Sequence, residues 1–179
     1  MSLEMYDVTV PVFRRTLKAL IALMAKAEDH CRAQGLDARG LADARLAPDM
    51  HGLGFQIASV INNSVGAVAR LRGLPAPRAE AFDSLGAMSR AMAEAVESLA
   101  EVAPADLDGS QGREVVLPHA KGDRHFSGQG YLLSLALPNF FFHAATAYDI
   151  LRNQGVEIGK RDFLGELPPR RPPRPALQG

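Results

Sequence analysis

Apolar side chains recur every three or four positions along four stretches of the chain. In the first, Phe13, Leu17, Leu20, Ile21, Met24 and Cys31 follow one another at the spacing that lines one face of a helix. Thr9 stands as its cap, and Pro11 is tolerated in the first turn because its missing N–H would have no partner there. Gly35 supplies the stop, and Asp37 can cap a short helical turn through Leu41 and Ala44. A second helix starts near Pro48 and carries Leu53, Ile57, Val60, Ile61, Ser64, Val68 and Leu71, with Gly73 after it. Its glycines, Gly52, Gly54 and Gly66, each cost about 1 kcal/mol of helix propensity against Ala. Either they admit a close neighbour, or they mark weakness near residue 53. Pro75 and Pro77 open a linker. The third helix follows Asp83 or Ser84 as cap, carries Leu85, Met88, Met92, Val96, Leu99 and Val102 on one face, and ends at Pro104.

The period then changes. Residues 113–118 and 124–126 flank Gly122-Asp123 and read as a β-hairpin, which must lie on the helices because a lone hairpin is marginal in water. A two-residue turn sets His119 opposite Phe126 and puts His119 and His125 on opposite faces. A three-residue loop pairs Lys121 with His125 and puts both His on one face. Ser127 caps the fourth helix, which runs from Gly128 to about Asn153 and closes at Gly155; Pro138 inside it removes one backbone hydrogen bond and should kink the axis. Four such helices make an all-α four-helix bundle with a short β-hairpin before the fourth helix. The domain is read as residues 1–165. Residues 166–179 hold five Pro and three Arg against one Glu, and read as a disordered tail.

Composition narrows the function classes. The chain has 179 residues, 47% of them hydrophobic and 22% charged, with 20 Lys+Arg balanced by 20 Asp+Glu. Zero net charge lacks the phosphate-neutralising excess of a nucleic-acid binder, and it equally disfavours electrostatic attachment to a membrane. No stretch reaches the ~18 uninterrupted apolar residues of a membrane span, and the acidic start lacks the pattern of a secretory signal. A single Cys can form neither an internal disulfide nor a Cys-based zinc site, so the expected location is the reducing cytoplasm. The neutrality divides unevenly: residues 1–165 hold 17 Lys+Arg and 19 Asp+Glu, and the tail carries the compensating positive charge.

Five His keep a His/carboxylate metal site open on composition alone. His30, near the end of the first helix, is placed to complement the negative helix terminus. Cys31 reads as a buried inert thiol. Phe140-Phe141-Phe142 points to three sides of one helix, so at least one should face away from the core and cover the hairpin or a partner. Gly128-Gln129-Gly130 reads as helix entry, since it lacks the Lys and spacing of a phosphate loop. Pro169-Arg170-Arg171-Pro172 matches a PxxP pattern of the kind that arises readily in such tails. Asn139 and His143, four apart, share one helical face and a pocket between helices. That pocket is either a ligand site, with His143 as a residual ligand or general base, or a mutually satisfied hydrogen-bond cluster that sets helix register.

The segment from Ser127-Gly128-Gln129 through Leu137-Pro138-Asn139-Phe140-Phe141-Phe142-His143 to Gly155-Val156-Glu157-Ile158-Gly159-Lys160-Arg161-Asp162-Phe163-Leu164-Gly165 resembles an uncharacterised branch of the DinB/YfiT-like superfamily. Met5-Tyr6-Asp7, Val10-Pro11-Val12-Phe13 and residues 44–50 fit the same branch. The resemblance implies a DinB-like four-helix bundle over residues 1–165, often dimeric, in a superfamily whose better-known members hold a divalent metal with three His. One of those His lies on the second helix and two on the fourth. Aligned through Leu151-Arg152, the fourth-helix pair falls on Asn139 and His143, and the second-helix position falls near Gln56. One imidazole of three remains, which makes a degenerate metal site with His143 as the single retained ligand. His51 lies five residues before Gln56 and, on a continuous helix, points to a different face as a rim residue. The expectation is a homodimeric bundle with no cofactor, acting through dimerisation or binding a small ligand at Gln56, Asn139 and His143. The alternative is an enzyme of the thiol transferase or hydrolase type, using Zn, Ni or Fe on His143.

Overall fold

The computed structural model describes residues 4–167. Helix α1 spans Val10–Gln34 and α2 spans Ala38–Asp43; α3 spans Leu53–Leu71 and α4 spans Leu85–Ala100. Strands β1 (Glu114–Leu117) and β2 (Arg124–Ser127) precede a continuous helical run. That run consists of α5 (Gly128–Tyr131), a π turn over Leu132–Ala136, and α6 (Leu137–Asn153), and a final short helix, α7, covers Lys160–Leu164. In the bundle α1 lies against α4 and α6, and α3 lies against α4 and α6. The apolar faces read from the sequence meet in its centre, where Phe13 and Phe140 are fully buried and pack edge to face at 4.7 Å.

The ends of the elements differ from the sequence reading in instructive ways. Thr9 precedes α1 but does not cap it; its hydroxyl turns back and donates to the Met5 carbonyl at 2.7 Å. Asp37 and Ser84 do cap, accepting from the Arg39 and Ala87 amides. The second long helix begins at Leu53, not near Pro48, with Gly52 at its N-cap. Gly54 explains the glycine cost there. A Cβ at this position would sit 1.9 Å from the Phe82 carbonyl oxygen, so the segment entering α4 crosses α3 backbone to backbone. Gly66 has no such close neighbour: a Cβ there would lie 3.1 Å from the end of the flexible Arg70 side chain and in ordinary contact with Ala76 Cβ at 3.6 Å and the Pro77 carbonyl oxygen at 3.7 Å. The Pro75/Pro77 linker is pinned by one amide: Asn62 donates to the Ala79 carbonyl at 2.9 Å and accepts from the Ala79 amide at 2.7 Å.

The hairpin register pairs Glu114 with Ser127 and Leu117 with Arg124, so His125 stands opposite Val116. The loop therefore spans residues 118–123, and neither the two-residue nor the three-residue turn forms. His119 lies in that loop, and His125 contacts Glu114 Oε1 at 2.8 Å on an exposed face. Buried Val115 and the Phe126–Tyr131 ring contact seat the hairpin on the bundle. Pro138 does not interrupt the fourth helix. Immediately before it the backbone widens by one residue, with the Leu137 amide donating to the Leu132 carbonyl. A π step of this kind relieves the ladder where proline has no N–H to give.

Candidate functional site

Helices α3 and α6 pack side by side and bring Gln56 and His143 together. Gln56 lies in the first turn of α3 and is 3% exposed. Its Nε2 donates to the His51 carbonyl at 2.9 Å. With the amide so oriented, Oε1 can only accept, and it lies 2.7 Å from His143 Nδ1. The network therefore assigns the proton of His143 to Nδ1 and leaves the Nε2 lone pair free. Burial, followed by the nearby His51, pushes the His143 pKa below its ordinary 6.5, which favours the neutral ring.

Aromatic rings frame this imidazole. Phe55 stands edge-on to it with centroids 6.1 Å apart, and Phe142 does so at 5.2 Å. His51 stacks on Phe55 at 3.8 Å and is exposed. Phe142 is 58% exposed and Phe141 39%, so two members of the Phe140–142 triplet face outward while Phe140 fills the core. His51 is at the rim, as expected, yet it shares the face of His143. It lies before the start of α3, so counting helical turns back from Gln56 does not describe its direction.

The structure brings His143 and Gln56 together and leaves Asn139 aside. Asn139 is half-buried and, among the described residues, makes no hydrogen bond to either partner. His143 is half-buried beside exposed His51 and Phe142, so the Gln56–His143 pair sits on a partly exposed aromatic face.

The three-ligand metal centre implied by the resemblance does not fit the residues present. Of its positions only His143 offers an imidazole, and both ends of the Gln56 amide are already engaged. Carboxamide oxygens are weak ligands for transition metals beside imidazole. Among the described residues no three His, Cys, Asp or Glu side chains come close enough to share an ion.

His30 lies beside Gly155, the residue that closes α6. Cys31 is 4% exposed, and burial, then Asp37 and Glu28, push its thiol pKa up and keep it protonated. No described helix is long and apolar enough to cross a membrane. The Pro169–Pro172 motif lies outside the described residues.

Comparison with known proteins agrees with this architecture. Residues 5–164 match the family described as Domain of unknown function (DUF1993), and the chain belongs to that family. The fold is shared with a crystal structure of a DinB family member from Shewanella denitrificans: 33% identity, TM-score 0.86, covering 93% of this chain and 95% of the other. No curated protein matches the chain.

Proposed function

We propose that the protein is a metal-independent binding module of the DinB-like fold, which takes a small flat ligand at His143. The observation that carries this reading is the relay from the His51 carbonyl through Gln56 to His143 Nδ1. It holds a neutral ring with an acceptor nitrogen presented between Phe55 and Phe142. A ligand matching that face has an aromatic body and one hydrogen-bond donor, since stacking area and a single polar anchor are what the face offers. The metal-dependent thiol transferase or hydrolase alternative would need ligands beyond the single imidazole of His143. Homodimerisation in the cytoplasm belongs to the same reading, through the family likeness, and light scattering at micromolar concentration reads the dimer directly.

Phenol and indole serve as probes in a titration followed by amide chemical shifts. Perturbations should centre on Phe55, Gln56, Phe142 and His143, and His143→Ala should abolish them. Gln56→Leu should weaken binding by about tenfold, because a freely rotating imidazole loses the preferred tautomer. Shifts that survive His143→Ala unchanged, or no shifts at millimolar probe, would sink the proposal.

A further inference from the structure

A cleft lies between the first half of α1 and α7, with a volume of about 630 Å³. Four cations line it: Arg14, Arg15 and Lys18 from α1, and Arg161 from α7. Of the two carboxylates in its wall, Asp162 is already committed. It accepts from Lys26 at 2.6 Å and from the Gly159 amide at 2.7 Å. Among the described residues none of the four cations forms an ion pair, and the Nε of Arg14 is buried without an acceptor. A buried donor left unpaired costs free energy that a bound acceptor would restore.

Helix stability does not account for this clustering. The positive end of the α1 dipole lies at Val10, its first turn contains no acidic residue, and three cations follow within the next two turns. Cations belong at the opposite end of a helix. The surrounding structure holds the cluster in place. The Lys26–Asp162 pair fixes α7 on α1, and Gly165, at φ 65° and ψ −160°, turns the chain back over Ala19 in a conformation that only glycine adopts freely. Exposed Leu167 and the small Ala19 and Ala22 supply an apolar side to the same cleft. Glu166, exposed in the wall, is the one uncommitted carboxylate against these four cations, and the residues after 167 add three Arg and no acidic side chain.

We infer that this cleft is an anion site for a phosphate-bearing molecule with an apolar portion. Guanidinium forks match phosphate oxygens in pairs, and the volume suits a small organic ligand. The phosphate can belong to a free metabolite or to a lipid headgroup, and the two sources separate experimentally. Full-length protein is titrated calorimetrically with inorganic pyrophosphate, and sedimented in parallel with phosphatidylglycerol vesicles and with phosphatidylcholine vesicles. Pyrophosphate binding that weakens with added salt assigns a free phosphorylated ligand. Selective sedimentation with phosphatidylglycerol without pyrophosphate binding assigns the headgroup. In either case Arg15→Ser with Lys18→Ser, and separately Arg161→Glu, should weaken the interaction at least about tenfold while leaving the circular dichroism spectrum unchanged. Arg32→Ser, outside the cleft, should leave it intact. Absence of both interactions, or binding that survives both cleft variants, overturns the inference.

Discussion

The Nδ1–H of His143 points at the Gln56 carbonyl oxygen, and the Gln56 amide is itself held by the His51 carbonyl. The family resemblance singles out both residues, His143 by alignment through Leu151-Arg152 on the fourth helix and Gln56 through the second helix, and the structure places them in hydrogen-bond contact. Asn139 was selected by the same alignment and by its four-residue spacing, and the structure gives it no bond to the pair. His51 stands at the rim as its spacing predicts, but its stacking on Phe55 beside His143 is not legible from helical periodicity, because it precedes the start of α3. The pKa of His143 makes the pair testable at the level of one residue. Burial and His51 hold the folded pKa below the ordinary 6.5, so the unfolded chain takes up this proton first. Its contribution to stability is therefore complete above about pH 6.5 and is lost as pH falls through the lower folded value. Thermal unfolding of His143→Asn should show a shallower loss between pH 6.5 and acid than the parent chain. Parallel profiles would contradict the assignment of a neutral ring.

At the scale of elements, periodicity located every long helix, and the departures lie at ends and crossings. The sequence left open whether the α3 glycines admit a neighbour or mark weakness, since spacing along one helix says nothing about what crosses it. Gly54 meets the Phe82 carbonyl at 1.9 Å, whereas the only tight contact at Gly66 is the flexible end of Arg70, with Ala76 and Pro77 at ordinary van der Waals distance. Gly54→Ala should cost about 1–3 kcal/mol or more in denaturant unfolding, because backbone must move. Gly66→Ala should be neutral or stabilising by up to about 1 kcal/mol, from helix propensity alone. Equal effects at the two positions would contradict the close crossing. Pro138 carries the same lesson. Its cost to a helix is legible in the sequence, but the π turn that absorbs it depends on how residues 132–136 sit against the bundle.

Over the whole molecule, charge balance concealed more than it revealed. The neutral total contains a slightly acidic body and, within that body, a cleft lined by four cations drawn from α1 and α7. No one-dimensional pattern joins Arg161 to Arg14, Arg15 and Lys18, because the contact is made only when α7 folds back on α1. The bundle itself was legible, since apolar stripes of this length have few other ways to be buried. Central to the proposed function is that this bundle works without the metal centre that the resemblance implies for better-known members of the superfamily. Metal content of protein purified without an affinity tag, measured beside His143→Ala, tests that claim most directly. The account predicts no stoichiometric Zn, Ni or Fe in either preparation. A stoichiometric metal that disappears in His143→Ala would contradict it.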